Sequence, residues 1–107
     1  QGLRAEVHKE VKHMRKYEVM YIIRPDIEQE AVQAAVDKFQ GIISNGGEIT
    51  KHDVMGKRRL AYEIKKFRDG VFVLVNFNAT PEVVAELERL MKISDEVIRY
   101  LITNDVA

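Results

Sequence analysis

Between Arg15 and Arg24 the hydrophobic positions alternate. Tyr17, Val19, Tyr21 and Ile23 fall on one side, Met20 and Ile22 on the other, with no Gly or Pro before Pro25. That pattern, rich in aromatic and β-branched residues, predicts a strand ended by the proline. The period then lengthens. Val32, Val36, Phe39 and Ile43 recur at helical spacing with Ala35 beside them, which predicts an amphipathic helix. Asp26, with Gln29 three residues on, is its candidate N-cap. Asn45-Gly46-Gly47 is its stop, with a left-handed C-cap expected there. Alternation returns over 48–66, where Leu60, Tyr62 and Ile64 interleave with Arg59, Ala61 and Glu63 and Gly56 marks a bulge or bend. Asp69-Gly70 is the expected hairpin turn. A nearly all-apolar third strand runs from Val71 to Asn78. Thr80, Pro81 and Glu82 provide an N-cap, a first-turn proline and a first-turn acid for a second helix. Its stripe is Val83, Val84, Leu87, Leu90 and Met91, and a last strand follows over Val97–Thr103.

The order βαββαβ is the split βαβ, ferredoxin-like arrangement of the α+β class. Four antiparallel strands carry two helices on one face. Right-handed crossovers put the first and third strands in the middle. Residues 1–13 carry alternating charge with little to bury and read as a leader or tag. The domain is expected over 14–104, with a short tail at 105–107. An antiparallel sheet covered on one side should be polar on the other. Here both central strands are apolar on both sides: Met20 and Ile22 oppose the first-strand core face, and Phe72 and Leu74 oppose Val71, Val73, Val75 and Phe77. An open apolar face of that kind predicts a partner or self-association surface. Cover by flanking loops or the leader is the alternative.

At 107 residues the chain fits one domain, and 46% hydrophobic with 32% charged residues is a folding composition. There is no cysteine, so no disulfide, thiolate nucleophile or cysteine metal site. No apolar run reaches the roughly 20 residues of a membrane span. Net charge is zero, from 17 basic and 17 acidic residues. A stand-alone RNA binder has a basic surplus, so any RNA contact here must be local and helped by a partner. One local run exists. Lys57, Arg58, Arg59, Lys65, Lys66 and Arg68 fall within twelve residues, with Glu63 the only acid among them. Arg15, Lys16, Lys92 and Arg99 sit at strand or helix ends from which they could join it. Arginine forks pair bidentately with phosphate and lysines add point charge. The bland alternative is an edge strand kept from aggregating by its charges. Tyr62 and Phe67 add aromatic stacking partners nearby.

Other chemistry finds little footing. Phe72 and Phe77, five apart, point to opposite faces, unlike the paired aromatics with which an RNA-recognition motif stacks bases. Acylphosphatases share the topology, and Arg24 with Asn76 or Asn78 falls in roughly their catalytic places. However, the loop Arg24-Pro25-Asp26-Ile27-Glu28 has no glycine and its acids would repel an acyl phosphate. His8, His13 and His52 have no ligand spacing within the domain. No Walker loop, GxSxG or HExxH occurs. No catalytic residue, metal or cofactor is expected. A small-molecule-binding ACT-type domain, which pairs sheets edge to edge, is the alternative function, but it needs a Gly-rich loop before the first helix.

Four segments share one resemblance. Met14-Arg15-Lys16-Tyr17-Glu18, Gly56-Lys57-Arg58-Arg59-Leu60-Ala61-Tyr62, Arg68-Asp69-Gly70-Val71-Phe72 and Leu90-Met91-Lys92-Ile93-Ser94-Asp95-Glu96-Val97-Ile98-Arg99 resemble, in order and in register, the bacterial small-subunit ribosomal protein S-six family. The resemblance implies a ferredoxin-like fold and a structural role in the cytoplasmic ribosome. It also implies binding of the central domain of 16S rRNA together with ribosomal protein S-eighteen, with no membrane and no small-molecule substrate. By match of position, Arg15, Lys57, Arg58, Arg59, Lys92 and Arg99 are the RNA-facing candidates. Lys92 stands where the family often has arginine and offers a point charge instead of a fork. A neutral chain with an apolar open face is what joint binding with a basic partner would require.

Overall fold

The computed structural model describes residues 14–104. The elements are β1 (Arg15–Ile23), α1 (Gln29–Gly46), β2 (Gly47–Ile64), β3 (Phe67–Ala79), α2 (Pro81–Ile93) and β4 (Val97–Asn104). The sheet order is β2-β3-β1-β4 and every neighbouring pair is antiparallel. The expected topology therefore stands, with β1 and β3 central. The expected leader and tail, 1–13 and 105–107, lie outside the described residues.

Alternation along β1 and β3 aims Val19, Tyr21, Ile23, Val73, Val75 and Phe77 at the helices, where all are buried. Val36, Phe39 and Ile43 of α1 and Leu87 and Met91 of α2 close over them. Each such side chain contributes roughly 1.5–3 kcal/mol by leaving water. Tyr21 meets Phe39 edge to face at 5.3 Å, and Tyr17 stacks on Phe77 at 5.7 Å. Burial pushes the Tyr21 phenol pKa up, and the charge on Asp37 pushes it further the same way. Phe77 is thus a core ring while Phe72 lies half-buried on the other face, so these two rings do not pair on one face for base stacking.

Three local expectations are corrected. Asp26 does not cap α1. The N-cap is Glu28, whose carbonyl accepts from Val32 N–H at 3.0 Å, and its side chain makes no capping bond. Asp26 accepts instead from the Arg24 guanidinium, a charged donor that outcompetes a backbone N–H for a carboxylate. Nor does α1 end in a left-handed cap. Gly47 is extended (φ −158°) and starts β2 directly. Its glycine is needed because a Cβ there would run into the Asn78 carbonyl and Ala79.

The β2–β3 turn is the third correction. Ile64 pairs with Phe67, so the two-residue loop is Lys65-Lys66, with φ of 51° and 71°. Both signs are those of a type I′ turn, whose twist matches the flanking strands. Asp69 and Gly70 lie inside β3, opposite Arg59 and Arg58. Gly70 is there for packing: a Cβ would collide with the Ile22 side chain. The bulge expected at Gly56 is present, with φ of 89° and a register shift between Val54 and Gly56.

Candidate nucleic-acid interface

The interface is built by that bulge and by the length of the hairpin. β1 pairs with β3 only as far as Ile23 opposite Val71. Beyond it β2 and β3 continue as a two-stranded ribbon, through Lys57 opposite Val71, Arg58 opposite Gly70 and Arg59 opposite Asp69. Two-stranded ribbons twist strongly, and a bulge adds twist. Register then lapses between Arg59 and Ile64, and the tip curls over the face of the sheet that the helices leave open. Arg99 of β4, at the far edge of the sheet, donates from Nη1 to the Tyr62 hydroxyl at 2.7 Å. Leu60, Tyr62 and Ile64 face Met20, Ile22, Phe72 and Leu101 across a cavity of about 230 Å³. At the start of β3, the Phe67 ring lies with its centre 5.2 Å from the Arg24 guanidinium.

The apolar open face is therefore partly covered by the chain itself. Ile22 is only 4% exposed. Met20 and Leu74 remain half-buried and Leu101 is 56% exposed. The partner surface expected from the sequence shrinks to the part of the sheet that the hairpin does not reach.

Charge divides the same region. Among the described residues the ion pairs are Arg24–Asp26 at 2.7 Å, Arg24–Asp95 at 2.9 Å and Arg89–Glu86 at 2.7 Å. Arg24 is thus spent on two carboxylates that tie the β1–α1 loop to the α2–β4 loop. Its hydrogen bond to Asp26 raises the guanidinium pKa and lowers that of the carboxyl. This ends the acylphosphatase reading, since an arginine held by two acids is not available to an acyl phosphate. Lys57, Arg58, Arg59, Lys65, Lys66 and Arg68 are all exposed, and none pairs with a described acid, Glu63 and Asp69 included. Even Arg59 and Asp69, which stand opposite each other across the hairpin, form no ion pair, so the charge of the run is left open to a ligand.

The six candidates do not form one patch. Lys57, Arg58 and Arg59 lie on the ribbon. Arg99 joins their end of the sheet, standing opposite Ile22, which stands opposite Phe72, which faces the bulge at Gly56. Arg58 shares the open face with Gly70 and Phe72, while Arg59, one residue on, leaves the opposite face. Lys92 sits in the last turn of α2, where its charge also complements the helix dipole. Arg15 starts β1 at the other end of the sheet, eight residues from Ile23 and so about 26 Å away. Tyr62, from the sequence only a stacking partner near the basic run, meets Arg99 across 37 residues, a contact that depends on the curl of the ribbon. Among the described residues no three His, Cys, Asp or Glu side chains converge as metal ligands, and no helix of the structure is long and apolar enough to cross a membrane.

A split βαβ sheet that extends an unpaired basic ribbon and leaves part of one face apolar defines a ferredoxin-like binding domain. Its relatives are ribosomal. The model of the family Ribosomal protein S6 matches residues 16–104. The chain is 57% identical over 91 residues to small ribosomal subunit protein bS6 of Moorella thermoacetica, spanning 84% of this chain and 93% of the relative. It is 55% identical over 93 residues to the bS6 protein of Halalkalibacterium halodurans, spanning 86% and 98%. The crystal structure of 30S ribosomal protein S6 from Thermotoga maritima superposes with a TM-score of 0.82 at 34% identity, over 86% of this chain and 88% of that one. The chain belongs to the ribosomal protein S6 family, a family of ribosomal proteins and not of enzymes. The ACT-type reading falls with that result.

Proposed function

We propose that this chain is a structural constituent of the small ribosomal subunit and binds the central domain of 16S rRNA jointly with ribosomal protein S-eighteen. The observation that carries the reading is the ribbon at 57–68, with six exposed basic side chains and no acid partner among the described residues, on a chain whose net charge is zero. Zero net charge gives little long-range attraction to RNA, so affinity has to come from short-range contacts at this patch and from a second protein. Arg58, Arg59 and Arg99 supply the phosphate contacts nearest one another, with Lys57 beside them. Arg15 and Lys92 reach separate stretches of backbone. The uncovered apolar surface around Met20, Leu74 and Leu101 is where the partner protein docks.

The test is partner-dependent binding to a central-domain transcript across a salt series. Arg58→Ala, Arg59→Ala and the double variant are compared with the parent. Each lost phosphate contact should lower the salt slope by about one unit. Parent-like binding by all three at every salt concentration would reduce the ribbon to a solvated edge. Co-sedimentation of the chain with small ribosomal subunits checks the assembly itself.

A further inference from the structure

We infer that Tyr62 is a stacking platform for one unpaired nucleobase, with Arg59 and Arg68 placed to take that nucleotide's phosphates. The inference rests on the RNA-binding reading above and adds to it a base contact that the basic run alone does not supply. The ribbon offers two aromatic rings. Phe67 is half-buried and faced by the Arg24 guanidinium. Tyr62 is 61% exposed, the one exposed aromatic side chain among the described residues. An exposed tyrosine is usually mobile, and ordering it on binding costs entropy. This one is held already, because its hydroxyl accepts from Arg99 Nη1 at 2.7 Å. The guanidinium carbon stands over the ring, 5.9 Å from its centre, on the side of the apolar cavity that Arg99 and Tyr62 both line, so a base would stack from the groove that Arg99 does not line.

The surroundings select the ligand. Tyr62 divides two hollows. One is the apolar cavity against the sheet, with Leu60, Ile22 and Phe72. The other is an open groove of about 300 Å³ that Tyr62 lines with Arg59, Leu60, Glu63 and Arg68. Neither arginine pairs with a described acid. An apolar side chain from a protein would desolvate both guanidinium groups without compensating them. A nucleotide offers a flat π-face to the ring and oxygens to the forks. The base must be unpaired, since bases within a duplex do not expose a face. Stacking without base-edge donors is tolerant of base identity.

The experiment uses the full chain with ribosomal protein S-eighteen and a central-domain transcript. Tyr62→Leu should weaken binding by roughly five- to a hundredfold at every salt concentration with the slope unchanged, while Tyr62→Phe, which keeps the ring and gives up only the hydroxyl that Arg99 holds, should lose clearly less. Arg59→Ala should instead lower the slope. The chain has no tryptophan, so Tyr62→Trp introduces a single indole whose fluorescence should be quenched as RNA is added. That readout needs no truncated side chain and survives if Tyr62→Leu fails to fold. Unquenched tryptophan in a complex that forms, or parent-like affinity of a folded Tyr62→Leu variant while Arg59→Ala lowers the slope, overturns the stacking site and leaves the phosphate reading intact. Loss of S-eighteen binding by Tyr62→Leu without RNA present also overturns it, making the ring a protein contact. A parent chain that binds no RNA with its partner present overturns both readings.

Discussion

The turn at Lys65-Lys66 places two side-chain-bearing residues at positive φ, 51° and 71°, where the Cβ approaches the following carbonyl oxygen. Each such residue costs about 1–2 kcal/mol. A type I′ turn asks for Asn-Gly, so the paired substitution Lys65→Asn with Lys66→Gly should relieve most of that strain. The gain is not the full sum. Asn still carries a Cβ, and glycine returns roughly 0.5–1 kcal/mol through the greater freedom of the unfolded chain. A net stabilisation of about 1–2 kcal/mol follows, which for a domain of this size is on the order of 4–12 °C in Tm. Removing two lysines from a run that also holds Arg58, Arg59 and Arg68 relieves like-charge repulsion in the same direction. The assay is urea unfolding with circular dichroism, comparing midpoints at unchanged m. Unchanged or lower stability would refute the reasoning, because it would mean either that the two lysines do not occupy the left-handed region or that the tip opens before the sheet does. The same variant should bind RNA with a smaller salt slope if these lysines meet phosphate, so stability and affinity would move in opposite directions.

Gly70→Ala should destabilise by about 1–3 kcal/mol, the usual cost of overpacking, because the added methyl would run into the buried Ile22 side chain. A chemical melt checks it, and a neutral result would show that the Ile22 side chain yields and that close packing does not require glycine at 70. Asp26→Asn tests the Arg24 clasp through pH. The Asp26 carboxyl is depressed in the folded state, chiefly by its hydrogen bond from Arg24. Its contribution is therefore fully present above the ordinary carboxylate pKa and is lost as pH falls through the lowered folded value. Parent and variant stabilities should differ at neutral pH, modestly for an exposed pair, and converge in acid. Parallel stability curves down to strongly acidic pH would exclude the clasp.

Much of the fold is a matter of local pattern. Tyr17 to Ile23 can bury a face only as a strand, and Val32 to Ile43 only as a helix. Pro81 after Thr80 starts the second helix, and Gly56 marks the bulge. Periodicity, propensity and caps act within a few residues, so βαββαβ, its central strands and the basic run were all legible in the sequence. Tertiary structure decided what local rules could not weigh. Asp69-Gly70 reads as a turn until Ile22 is seen packed against Gly70, and Lys65-Lys66 reads as no turn until the register pairs Ile64 with Phe67. Asp26 reads as a cap until Arg24 takes it. The site follows the same division. Which residues are basic is written in the chain. That Arg99 meets Tyr62 across 37 residues and that the ribbon covers part of its own apolar face follow from the twist accumulated beyond Gly56, and twist is a property of paired strands that neither strand's sequence carries alone.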